Sequence, residues 1–139
     1  TLGFGLENFS ESPATMALYQ TQYYWIQHVE PAAIYGYILA LEGFSAHHCR
    51  KMYETCKALY GADASLFWKV HSEDDPDHIE KALFYVEQLP EATLQNIRVN
   101  TLQTAAYYSE IYHEIIRRTA DVAQKNVKPV YSELLLKSA

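Results

Sequence analysis

The sequence offers the backbone only five glycines and five prolines in 139 residues, and between them apolar residues recur at intervals of three and four. That spacing puts them on one face of a 3.6-residue helix. A half-buried strand needs strict alternation, and no alternating stretch of useful length is present. An all-α chain is expected, folded as a single helical domain over 1–139, since the length suffices for one core.

The breaks predict where the helices lie. Ser12 followed by Pro13 reads as an N-cap and a first helical residue, opening a helix over about Pro13–His28 that carries Met16, Tyr19, Tyr23 and Ile26 at spacings of three and four. Pro31 opens a second helix, PAAIYGYILALEG, apolar nearly all round and so buried, which Gly43 ends or bends. A third covers about Ser45–Leu59 and stops at Gly61. Ala64–Val70 is apolar, and a helix resumes over Asp77–Gln88 with Ile79, Leu83 and Val86 inward. Pro90 opens a long last helix to about Ala120. Residues 1–12 read as irregular, and the tail from 121, with Pro129, as an extension or short helix.

A formal charge of −6 argues against nucleic acid as a partner, because phosphates would be repelled. No apolar run approaches the length of a membrane span. No signal peptide is visible, and a chain that starts at Thr1 leaves room for an upstream segment. Cys49 and Cys56 fall seven residues apart in one helical pattern, roughly 10 Å along its axis, too far for a disulfide. Two unpaired thiols suit a reducing cytoplasm.

Two features carry chemistry. Glu42 closes an apolar run that includes Ile34, Tyr37, Ile38 and Leu41. A carboxylate in such surroundings must be protonated, paired, bound to a metal, or led to water at the helix end. The second is HSEDDPDH, His71 to His78. On a helix His71, Asp75 and His78 share a face, and so does Asp74, so spacing leaves the two aspartates open. Two imidazoles and a carboxylate make half of a metal site, and a bundle glutamate can complete it. Ligands without thiolate suit iron or manganese, with zinc a third choice. The bland alternative is a charged linker, with an aspartate N-cap before Pro76 and exposed histidines. Pro76 predicts a kink or break here.

The pairing of HVEPAAIYGYILALEG (His28–Gly43) with His71-x3-Asp75-x2-His78 resembles the haem-oxygenase-like di-iron oxidases and oxygenases. IEKALFYVEQLP and TLQTAAYYSEIYHEII extend the likeness, which covers about Pro13 to Arg118. The resemblance implies a bundle of about five or six helices, or a partial copy of one, without haem. It implies one or two iron ions, with Glu42 shared between them, His71 on one, and Asp75 and His78 on the other. It also implies dioxygen and a small organic substrate, an amine, amino acid or fatty acid, and a homodimer is expected. The chain departs from the family in one respect. The family takes a further glutamate and histidine from an earlier helix, and here Glu7 and Glu11 have no histidine beside them, while His28 and Glu30 lie against the proline break. An upstream segment, a second chain, or the loss of one iron site would each account for that.

His47, His48 and His113 read as surface or boundary histidines. Tyr35, Tyr37, Tyr107 and Tyr108 can line a pocket or pack in the core. Two rival functions stand beside the oxidase: a helical metal-binding or interaction domain without turnover, and cofactor-free or cysteine-based chemistry like that of thiaminase II, through Cys49 or Cys56.

Overall fold

A computed structural model describes residues 10–126. These form four α-helices joined by two 3-10 turns, with no strand among the described residues. The order is α1 (Pro13–His28), a turn at Pro31–Ala33, α2 (Ile34–Tyr60), a turn at Asp63–Ser65, α3 (Leu66–Val86) and α4 (Glu91–Asn126). Fewer helices are present than the expected five or six, because two expected interruptions do not occur. Glu7 and the tail with Pro129 lie outside the described residues.

The first helix starts where the sequence predicts. The Ser12 side chain accepts the backbone N–H of Thr15 at 3.1 Å, and Pro13 occupies the first turn, where its missing donor is not needed. Gly61 ends α2 with φ +89°, a conformation that L side chains rarely adopt, and its N–H bonds the Lys57 carbonyl at 3.0 Å.

Gly43 neither ends nor bends the second helix out of α2. A lone glycine weakens a helix by about 1 kcal/mol, too little to stop one that is packed along its length. Pro76 likewise sits inside a continuous α3, correcting the expected break. A proline removes a single donor, and the turns on either side keep theirs. Unbroken helix is what sets His71, Asp75 and His78 on one face.

α2 is the central element: α3 packs along it, α4 crosses it, and α1 lies mainly on α4. The closest approach is at Gly36, where an added Cβ would stand 2.5 Å from the Ile97 carbonyl oxygen and 2.6 Å from the Thr101 nitrogen. The inward face of α1 is not the apolar stripe that the spacing predicts. Met16, Tyr19, Tyr23 and Ile26 are exposed, whereas Leu18 and Gln22 are buried. On α3, Ala82 and Val86 are buried but Leu83 is exposed. Both helices are covered on one side only, and contact rather than hydrophobicity decides which side that is.

Gln22 is buried because α4 supplies its partners. Asn100 Nδ2 donates to Gln22 Oε1 at 2.9 Å, and Gln22 Nε2 reaches Thr104 Oγ1 and the Leu18 carbonyl, both at 3.3 Å. Asn100 and Thr104 are fully buried. Such a network holds only while every member is paired. Asn100→Leu is expected to destabilise the protein by about 2 kcal/mol, the scale of a buried polar group left without its partner. Urea denaturation measures this, and an unchanged midpoint would contradict it.

Candidate metal centre

A cavity of about 370 Å³ opens between α2, α3 and α4. From α2, residues one turn apart face it: Ile38, Leu41, Glu42 and Ser45. From α3, Phe67, Trp68, His71, Asp75 and His78 do so, and α4 contributes Tyr108. Tyr37 completes the wall, and among the described residues no lysine or arginine lines it. Of the four tyrosines considered in the sequence, Tyr37 and Tyr108 reach the cavity. Phe67 and Trp68 do so unforeseen, although both share the His71 face at helical spacing.

All four predicted residues line this cavity. His78 Nδ1 lies 3.8 Å from Glu42 Oε2 and 3.7 Å from Asp75 Oδ1. Asp75 is buried and Asp74 exposed, so the fold separates two residues that spacing leaves equivalent. The reason is rotational: Asp75 points at α2, and Asp74, 100° further round, points to solvent.

Glu42 is placed differently from the expectation. It lies within α2, not at a helix end, and its side chain is 32% exposed rather than sealed in the core. Its Oε2 atom, however, is buried without a hydrogen-bond partner, and so is Asp75 Oδ2. No lysine or arginine pairs with either residue; the facing group is His78. Two orphaned carboxylate oxygens beside an imidazole nitrogen form a donor set that fits a cation. Two donors held by one ion at about 2.1 Å each stand roughly 3.0–3.4 Å apart, so the distances seen here need a closure of a few tenths of an ångström. As they stand, no group of three or more His, Cys, Asp or Glu side chains among the described residues is arranged to hold a metal ion. The donors converge without being closed in.

His71 is set up separately. Its Nδ1 lies 2.8 Å from the Phe67 carbonyl oxygen. A carbonyl only accepts, so Nδ1 carries a proton, and in the neutral ring the lone pair is on Nε2. Metal-binding histidines commonly have their tautomer set by such a bond. The ring stacks on Phe67 at 4.1 Å between centroids, which limits its rotation.

Other candidates lie elsewhere. His47, His48 and His113 are exposed. His28 is exposed at the end of α1, and Glu30 accepts from the Ala32 N–H and from Thr93 Oγ1 at 3.3 Å, a structural role. Glu11 accepts the Tyr19 hydroxyl at 2.9 Å. Cys49 is buried, Cys56 half-buried, both are free, and neither lines the cavity.

Burial, reinforced by the Tyr112 hydroxyl, pushes the Tyr108 phenol far above the ordinary tyrosine range. It stays a neutral donor at physiological pH. Because its folded value is raised, its contribution to stability is complete below the unfolded value near pH ~10 and is lost as pH rises further. An ultraviolet titration of wild type minus Tyr108→Phe is expected to show this phenol ionising well above ordinary tyrosines. A difference curve centred at the ordinary value would refute that.

The family model for iron-containing redox enzymes matches residues 2–110, most of the chain. No curated protein and no solved structure matches. Among the described residues, no helix is long and apolar enough to cross a membrane.

Proposed function

Because this chain belongs to the iron-containing redox enzymes, with their haem-oxygenase-like all-α fold, we propose that it is a non-haem iron oxidase or oxygenase acting with dioxygen on a small organic molecule. The observation that carries this reading is the orphaned Glu42 Oε2, 3.8 Å from His78 Nδ1, together with an Asp75 carboxylate whose Oδ1 lies 3.7 Å from the same nitrogen and whose Oδ2 is orphaned.

Glu42, Asp75 and His78 would hold the first ion. His71, with Nε2 free, would serve a second ion shared through Glu42. Bound iron would supply one-electron redox chemistry and the activation of dioxygen. The chain's own residues do the rest. Tyr37, Phe67, Trp68, Ile38 and Leu41 give the cavity an apolar, largely aromatic wall that would hold the substrate. Tyr108 donates a hydrogen bond at one side. With no lysine or arginine among the described residues of the lining, the cavity favours a neutral or amine-bearing substrate over one held by its carboxylate. The two free thiols agree with a reducing compartment such as the cytoplasm.

Anomalous diffraction at the iron edge, from crystals grown with ferrous iron, tests the assignment. A peak between Glu42, Asp75 and His78 is expected. His78→Ala is expected to lose tight iron binding with its circular dichroism unchanged, since His78 is 52% exposed and carries little packing. Full iron content in that variant would refute the ligand set. The open arrangement of the donors favours a second reading, a metal-binding helical unit without turnover. Oxygen consumption by the ferrous protein separates the two.

A further inference from the structure

Tyr108 lines two spaces at once. One is the cavity just described; the other, an outer groove of about 340 Å³, lies between α2 and α4 and is bordered by Phe44, Ser109, Tyr112 and His113. Tyr108 and Tyr112 are one helical turn apart, so α4 itself sets their separation. Their hydroxyl oxygens lie 3.3 Å from each other and their ring centroids 5.1 Å apart. Phe44 of α2 packs against both rings, at 5.4 Å and 5.6 Å, and limits their rotation.

We propose that Tyr108 and Tyr112 form a hydrogen-atom relay between the iron cavity and the outer groove, delivering single reducing equivalents to the metal centre. The relay rests on the functional reading given above. Tyr108 would give one electron to iron that dioxygen has oxidised and its phenolic proton to water in the cavity, leaving a neutral phenoxyl. The O–H bond of Tyr112 then breaks as that of Tyr108 re-forms, one hydrogen atom crossing between the two oxygens. A hydrogen-atom donor of the ascorbate or hydroquinone class, seated in the outer groove, restores the O–H of Tyr112 and leaves as its own one-electron-oxidised radical. The iron gains one electron, the donor loses one hydrogen atom, and one proton is released. Without the pair, a reductant would have to enter the substrate's own cavity.

The test uses the full chain loaded with ferrous iron, its iron content measured first. The protein is mixed with dioxygen in the absence of organic substrate, frozen, and read by electron paramagnetic resonance. Wild type is expected to give a tyrosyl signal that ascorbate quenches. Tyr108→Phe, which keeps the ring and its packing, is expected to lose that signal. Tyr112→Phe is expected to keep it and to slow its quenching by ascorbate by at least about tenfold. An undiminished signal in Tyr108→Phe, unchanged quenching in Tyr112→Phe, or iron that binds and oxidises with no phenoxyl in wild type would each overturn the relay while leaving the metal site standing. Failure of wild type to bind iron would instead overturn the functional reading, and the relay with it.

Discussion

Gly36→Ala is expected to lower the unfolding midpoint by roughly 10–15 °C, the equivalent of about 3 kcal/mol in a domain of this size. The new methyl carbon would lie 2.5 Å from the Ile97 carbonyl oxygen, 2.6 Å from the Thr101 nitrogen and 2.8 Å from Asn100 Oδ1. Two of these are backbone atoms of α4, so no side chain can swing aside, and relief requires α2 and α4 to separate. That movement would also stretch the Gln22–Asn100–Thr104 network, which is anchored at the same point. Gly43→Ala is the control. Its methyl carbon would meet only Ile79 Cδ1, at an ordinary 3.9 Å, and alanine is the better helix former by about 1 kcal/mol. That variant should be unchanged or stabilised. Thermal denaturation of both decides the matter: similar midpoints for the two variants would mean that the helices do not meet at Gly36.

Asp75→Asn is expected to act in opposite directions on metal binding and on the metal-free fold. Asp75 is 4% exposed, and its Oδ2 has no partner. In the absence of a cation, an ionised carboxylate held there is a liability, since burial of an unpaired charge is unfavourable. The neutral amide has almost the same shape and removes the charge. The metal-free variant should therefore be as stable as wild type or more so. Ferrous iron affinity should fall by at least about 100-fold, because groups one shell beyond a metal are already worth 10–100-fold. Wild type at an iron concentration of 100 times its dissociation constant gains about 2.7 kcal/mol of stability, and the variant should not. Thermal unfolding with and without ferrous iron reads both effects. Equal iron-dependent stabilisation in the two proteins would remove Asp75 from the ligand set.

Part of the cavity lining was legible in the sequence. His71, Asp75 and His78 share a helical face by arithmetic, and the resemblance to the haem-oxygenase-like oxidases added Glu42 from a distant segment. The expected break at Pro76 was an over-reading of a local rule. Proline weakens a helix without forbidding it, and α3 runs through. The inward stripe of α1 failed for a related reason. Met16, Tyr19, Tyr23 and Ile26 make a regular apolar pattern, yet periodicity reports an amphipathic face without saying what covers it. The covered face instead holds Gln22, whose burial depends on Asn100 and Thr104, some eighty residues away. Gly36 gave no warning either, since a close helix crossing belongs to two segments and is written in neither.

By itself the sequence determined the helical class, the start of α1 at Ser12–Pro13, the stop at Gly61 and the common helical face of His71, Asp75 and His78. These follow from local properties: backbone freedom, capping, and the 100° that each residue turns around a helix. Only the tertiary structure buried Asp75 and left Asp74 exposed, set Glu42 3.8 Å from His78, and brought Tyr108 to the cavity wall. Those outcomes depend on how α2, α3 and α4 lie against one another. That arrangement is governed by contacts between residues far apart in the chain, where periodicity carries no information.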